Sequence, residues 1–122
     1  MKVAVLNGSP KGEKSVTLQY ALYLQKKFPA FEMTFHPVAQ RIQRLERDAE
    51  AFGRVVEDCR AAELVLWAFP LYYLSVSSQF KRFFELIFER RAEDAFRDRY
   101  AAAVSTSVHF FDHTAHAYVH AL

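Results

Sequence analysis

Four short hydrophobic runs, each followed by a stretch with helical periodicity, constrain the fold of this chain more than any other feature. The predicted strands are residues 3–6, 31–36, 64–69 and 101–104, and the predicted helices are about 15–28, 41–60, 76–91 and 112–122. Three runs are continuously apolar, as in strands buried on both faces, whereas the run from Phe31 to His36 alternates and is expected at a sheet edge. Because consecutive parallel strands need crossover connections, this alternation predicts one α/β domain with a parallel sheet.

The helical stretches also predict which side chains face the sheet. In the first helix these are Leu18, Ala21, Leu22 and Leu24, and in the third they are Phe80, Phe83, Phe84, Ile87 and Phe88. The third strand is expected to stop at Pro70, and the charged stretch 41–60 is predicted to be one solvated helix.

Composition excludes several classes of protein. A hydrophobic content of 52% excludes a disordered chain, and 16 basic against 14 acidic residues, scattered along the chain, argue against a nucleic-acid-binding surface. The single cysteine, Cys59, excludes an internal disulfide and any metal site built from several cysteines. No signal peptide is visible, and the longest apolar run, 64–74, is too short to span a bilayer. We therefore expect a soluble, cytoplasmic domain without a membrane span or a nucleic-acid partner.

The loop after the first strand, residues 8–17, suits a phosphate group. It joins a buried strand to a helix N-terminus, where free N–H groups and the helix dipole favour an anion. Ser9, Ser15 and Thr17 add hydroxyl donors, although a turn with an ordinary helix cap would explain the same residues. The loop also nearly matches a nucleotide-binding P-loop, but Glu13 stands in place of its second glycine, which disfavours an NTPase.

Two further loops follow the third and fourth strands, and the carboxyl ends of parallel strands are where such sheets bind ligands. Residues 69–77 place Tyr72 and Tyr73 in a loop, where a flat and partly apolar ligand is a natural partner and core packing is the alternative. Residues 105–114 offer hydroxyls, backbone amides and imidazoles, which suit the polar edge of a ring.

Three histidines near the carboxyl end raise a metal hypothesis. His113, His116 and His120 would lie on one helical face, but histidine spacing alone is weak evidence for a metal. We therefore predict no metal site and interpret them as loop or interface residues.

Together, the three loops resemble those of the NADPH-dependent FMN reductase branch of the flavodoxin-like proteins. The resemblance rests on Asn7-Gly8-Ser9-Pro10 with Ser15 and Thr17, on Pro70-Leu71-Tyr72-Tyr73 with Gln79-Phe80-Lys81, and on Ser105-Thr106-Ser107 with His109 and Asp112-His113-Thr114. These motifs occur in the family's order across nearly the whole chain.

The resemblance implies a three-layer flavodoxin-like sandwich with strand order 2-1-3-4, FMN as cofactor and NAD(P)H as co-substrate. It implies that Ser9, Lys11, Ser15 and Thr17 surround the FMN phosphate, that Pro70, Leu71, Tyr72 and Tyr73 lie along the isoalloxazine, and that Thr106, Ser107 and His109 approach its far edge. The electron acceptor would be a quinone, a flavin, another small molecule or a redox protein. No catalytic side chain is required, and His109 is the candidate proton donor.

The chain departs from the family pattern at a few places. Val16 stands where the family often has Asn, and Ser77 stands where it commonly has Pro. A flavodoxin-like sheet has five strands, so residues 1–122 are predicted to form one C-terminally truncated domain, or one whose fourth strand another chain covers in a homodimer or higher oligomer. The alternatives are a flavodoxin-type electron carrier, which the net charge of +2 disfavours, and a non-catalytic truncated subunit.

Overall fold

The computed structural model describes residues 1–9, 16–70, 77–97 and 99–106, with Val16, Thr17 and Thr106 described by their backbone only. Its elements are β1 (Lys2–Asn7), α1 (Val16–Lys27), β2 (Glu32–His36), α2 (Ile42–Arg47), α3 (Ala49–Ala61), β3 (Leu64–Pro70), α4 (Ser78–Glu89), a short 3-10 helix (Glu93–Phe96) and β4 (Tyr100–Thr106). The four predicted strands are therefore confirmed, and the 3-10 helix was not predicted.

The strands form one parallel sheet in the order β2-β1-β3-β4. In its centre Val5 of β1 lies opposite Phe35 of β2 and Leu66 of β3. This confirms the flavodoxin-like strand order, and it places the alternating strand β2 at a sheet edge as predicted. Within the described sheet β4 is the other edge, and its residues from Tyr100 to Ser105 are partly or largely exposed.

Helices cover both faces of the sheet, which makes a three-layer sandwich. On one face α1 packs through Ala21 on β1 and β3. On the other face α2, α3 and α4 enclose the larger core around the single tryptophan, Trp67, whose ring stacks on Phe84 at 5.0 Å between centroids. Burial of these large apolar side chains is the main source of stability.

The predicted helix 41–60 is wrong as one element, because the chain breaks at Asp48. That residue has an extended backbone, and its Oδ1 accepts hydrogen bonds from Glu50 N at 3.0 Å and Ala51 N at 3.2 Å, so it caps α3. An Asp inside a charged stretch looks like a solvated helical residue, which is why the periodicity missed it.

Two predicted inward side chains are also wrong. Leu22 is 39% exposed and Phe88 is 46% exposed. At 3.6 residues per turn Phe88 lies roughly 80° around the helix axis from Phe80, and this turns it away from the sheet. Strand β3 also includes Pro70, which pairs with Thr106, where the strand was expected to end before the proline.

Candidate functional site

The three predicted loops begin at neighbouring strand ends. β1, β3 and β4 are adjacent and parallel, so the residues that follow Asn7, Pro70 and Thr106 leave the same edge of the sheet. Adjacent strands are about 4.8 Å apart, which brings the starts of the loops close together. This edge is the expected ligand position in an open α/β sheet.

Buried polar side chains are concentrated at this edge. Among the described residues the buried polar side chains are Asn7 (1% exposed), Ser9 (1%) and Ser77 (6%), and the remaining core is apolar. Burying a polar group is unfavourable unless it is hydrogen-bonded, so such groups are kept where a structural or functional need offsets the cost. The sheet edge with the three loops is therefore the candidate site.

Asn7 shapes the start of the first loop. Its Oδ1 accepts a hydrogen bond from Ser9 N at 3.0 Å, a local turn in which a side chain substitutes for a backbone acceptor. Its backbone oxygen accepts from Ala39 N at 3.2 Å, which ties the end of β1 to the segment after β2. In the sequence Asn7 stands out only as part of a motif, and this role was not predicted.

Gly8 lies directly against the first turn of α4. Gly8 N donates to Ala68 O at 2.6 Å, so the pairing of β1 with β3 continues into the loop. A Cβ built on Gly8 would lie 2.5, 2.6 and 2.8 Å from three ring carbons of Phe80. Real Cβ atoms do not approach carbon so closely, so only glycine allows this contact.

Ser77 joins the first loop to the second. It caps α4 by accepting a hydrogen bond from Phe80 N at 3.2 Å, and its Oγ donates to Gly8 O at 3.0 Å. In the sequence Ser77 stands out only as a departure from the pattern of the family that the loops resemble. A serine directly before an apolar helical run is a helix-cap signal, but its long-range partner could not be seen.

The structure describes part of the predicted site. Ser9 is buried beside Asn7, Pro70 ends β3 opposite Thr106 at the end of β4, and Thr17 lies in the first turn of α1. These positions share the carboxyl edge. Outside the described residues lie Lys11, Ser15, Leu71, Tyr72, Tyr73, Ser107 and His109.

The residues present fit an anionic phosphate at the first loop. α1 is a 12-residue helix that begins where this loop ends, it has no acidic residue in its first turn, and Lys26 and Lys27 lie in its last turn. No acidic side chain in the first turn of the helix therefore neutralises the positive end of the helix dipole, and this end favours an anion.

Two titratable groups outside the three loops have pKa values shifted by burial. His36 Nε2 is 3.0 Å from Asp58 Oδ2, and burial lowers the pKa of His36 although the Asp58 carboxylate opposes this. The pair lines a cavity of about 240 Å³ that contains no residue of the three loops, and two arginines of its lining, Arg44 and Arg54, form ion pairs with Asp48 and Glu50. Burial raises the pKa of the Cys59 thiol to about 12, which keeps the thiol protonated near neutral pH.

Neither a metal cluster nor a membrane helix is found in the part of the chain that the structure describes. No described group of three or more His, Cys, Asp and Glu side chains could hold a metal, and the histidines from His109 onward lie outside the described residues. None of the described helices combines the length and the hydropathy needed to cross a bilayer.

Comparison with known proteins connects this fold to flavoenzymes. The family model for NADPH-dependent FMN reductase matches residues 1–120. FerB from Paracoccus denitrificans, described as a flavoenzyme NAD(P)H:(acceptor) oxidoreductase, superposes with a TM-score of 0.77 at 22% identity, over 97% of this chain and 68% of that chain. No protein of curated function matches the sequence significantly.

Two further solved structures share the fold at lower identity. An FMN-dependent NADH-azoreductase from Bacillus anthracis, solved in complex with FMN, has a TM-score of 0.69 at 14% identity, over 99% of this chain and 80% of that chain. RosB, solved with a bound riboflavin-phosphate intermediate, has a TM-score of 0.72 at 14% identity, over 99% of this chain and 57% of that chain. At these identities the structural likeness shows the fold alone.

Proposed function

The chain belongs to the NADPH-dependent FMN reductase family, and from this membership we propose that it oxidises NAD(P)H and passes the electrons to a quinone, a flavin or another acceptor. The observation that supports this site most directly is the concentration of the buried polar side chains Asn7, Ser9 and Ser77 at the carboxyl edge of β1 and β3. FMN is the family's cofactor, and it is the group that the resemblance assigns to this edge.

Each loop has a separate part in holding the cofactor in this proposal. Ser9, with Lys11, Ser15 and Thr17 in the same loop, binds the phosphate next to the N-terminus of α1, where backbone N–H groups complete the site. The segment that begins at Pro70 covers the ring, and Leu71, Tyr72 and Tyr73 supply its apolar contacts. FMN bound there supplies the group that accepts a hydride.

The third loop would stabilise the negative charge of the reduced cofactor. Thr106 is the last residue of β4 and Ser107 follows it, and their backbone amides and hydroxyls are proposed to donate to the polar edge of the ring. His109 is proposed to carry a proton at its imidazole nitrogen. No other side chain is assigned acid–base chemistry.

We also propose that residues 1–122 form one domain, and that it works as a homodimer or higher oligomer in the cytoplasm. Several large apolar side chains are exposed on α1, among them Tyr20 and Tyr23, which supports self-association. A single cysteine, buried and free, suits a reducing compartment. Light scattering of the purified protein tests the oligomeric state.

The decisive experiment is steady-state oxidation of NADH and NADPH by the FMN-loaded protein, with a quinone, free FMN or no acceptor. We expect turnover that depends on both FMN and the acceptor. Bound FMN without NAD(P)H oxidation would identify an electron carrier of the flavodoxin type. A folded protein that retains no FMN would contradict the proposal and indicate a non-catalytic subunit.

A further inference from the structure

A single buried hydroxyl group connects the loop assigned to the phosphate with the helix that follows the loop assigned to the ring. Ser77 Oγ donates to Gly8 O at 3.0 Å across 69 residues of sequence, and it accepts from Phe80 N at 3.2 Å. We propose that Ser77 is a positioning residue that keeps the two cofactor loops in register before FMN binds. This inference rests on the proposed function, which assigns both loops to FMN.

The Ser77 hydroxyl acts as a donor and as an acceptor at the same time. The serine hydroxyl donates its one hydrogen bond to the Gly8 carbonyl oxygen, and its oxygen accepts a hydrogen bond from Phe80 N in the first turn of α4. The group is 6% exposed, so water cannot readily replace either contact. Loss of the hydroxyl would leave the buried Gly8 oxygen without this donor, and unsatisfied buried acceptors are unfavourable.

Other contacts also fix the position of Gly8, so its carbonyl oxygen is a well-placed acceptor for Ser77. Its N–H is bonded to Ala68 O, and its Cα packs against the ring of Phe80. The Ser77 bond therefore links the end of β1 to the point where the second loop enters α4. Loops that are ordered before binding lose less entropy on binding, so this link is expected to favour FMN affinity.

The backbone at Ser77 offers a second way to remove the hydroxyl. Its φ of −64° and ψ of 156° match the angles that proline adopts. Ser77→Pro should therefore keep the backbone at the entry into α4 while removing both contacts of the hydroxyl, to Gly8 O and to Phe80 N.

The test measures FMN affinity by flavin-fluorescence titration and apo-protein stability by urea unfolding followed through Trp67. We expect Ser77→Ala to raise the Kd for FMN by about tenfold, and Ser77→Thr, which keeps the hydroxyl, to stay within about threefold of wild type. Ser78→Ala, the same change at the adjacent exposed serine, should leave the Kd unchanged. Asp48→Ala removes the cap of α3, which lies outside the three loops, and should lower stability without changing the Kd.

The outcomes separate positioning from simple helix capping. A Ser77→Ala protein that loses stability as Asp48→Ala does, but binds FMN like wild type, would overturn the inference and leave the proposed function intact. If the alanine variant does not fold, Ser77→Pro decides: a tenfold weaker Kd supports the inference, and an unchanged Kd overturns it. A folded wild-type protein that binds no FMN would overturn both the inference and the proposed function.

Discussion

Gly8→Ala is expected to destabilise the protein, because the new methyl group would enter the ring of Phe80. Ordinary contacts between carbon atoms are about 3.5–4.0 Å, whereas the Cβ would lie 2.5, 2.6 and 2.8 Å from three carbons of this ring. The ring, the methyl group or the strand end must therefore move by roughly 1 Å, by comparison of those distances.

The surroundings decide how much this movement costs. Phe80 is fully buried, and its ring lies 5.0 Å from that of Phe84, 5.8 Å from Phe69 and 6.0 Å from Trp67 between centroids. A ring enclosed in this way has no free volume to enter, so we expect a loss of about 3 kcal/mol, at the upper end for an overpacked core. For a domain of this size that loss lowers the melting temperature by roughly 10 °C.

Gly53→Ala is the matched control. A Cβ built on Gly53, inside α3, meets nothing within 4 Å. Alanine is about 1 kcal/mol better than glycine in a helix, so the same substitution should stabilise the protein here. Urea unfolding followed by Trp67 fluorescence measures both variants, and a Gly8→Ala protein as stable as wild type would refute the reasoning.

Four further predictions concern the described groups and the proposed site. Burial lowers the pKa of His36 below its unfolded value near 6.5, so at acidic pH the unfolded chain binds more protons than the folded protein and stability falls as the pH is lowered. The urea midpoints at pH 7.5 and 5.5 should therefore differ more in wild type than in His36→Asn, and equal differences would contradict this. Cys59, buried and with a pKa of about 12, should resist iodoacetamide at pH 8 until urea unfolds the protein, and rapid labelling of the native state would contradict its burial. Ser15→Asp should weaken FMN binding by placing a carboxylate against the phosphate, and unchanged affinity of this variant in a flavin titration would count against the phosphate assignment. The wild-type protein should prefer FMN to FAD in the same titration.

Much of the fold could be predicted because each strand signal is local. The apolar runs around Val5, Leu66 and Ala102 each indicate a strand. The family resemblance supplied the order of the strands, which the structure confirms. The break at Asp48 was missed because a helix cap and a solvated helical aspartate have the same local sequence character. Phe88 was misplaced because an aromatic side chain near the end of a helix fits both the inward pattern and the exposed surface.

Motifs predicted the site, but the contacts that fix the backbone around Gly8 were not predicted. Ser9, Pro70 and Thr106 are at the predicted edge, whereas most of the other assigned residues lie outside the described part of the chain and their roles remain predictions. The contact between Gly8 and Phe80 and the bond from Ser77 to Gly8 join residues about seventy positions apart. No local pattern encodes such a pairing, because it exists only once the parallel sheet has brought β1 and β3 together.

The distribution of buried polar groups explains why these supports matter. A core that is otherwise apolar in its described part keeps Asn7, Ser9 and Ser77 inside, although alanine or valine at such positions would avoid the cost of desolvation. All three lie at the edge where the loops begin, and two of them form hydrogen bonds that determine the backbone path around Gly8. Buried polar groups that fix a backbone path are expected where a ligand must meet preorganised donors. The arrangement is therefore consistent with the cofactor site that we propose at this edge.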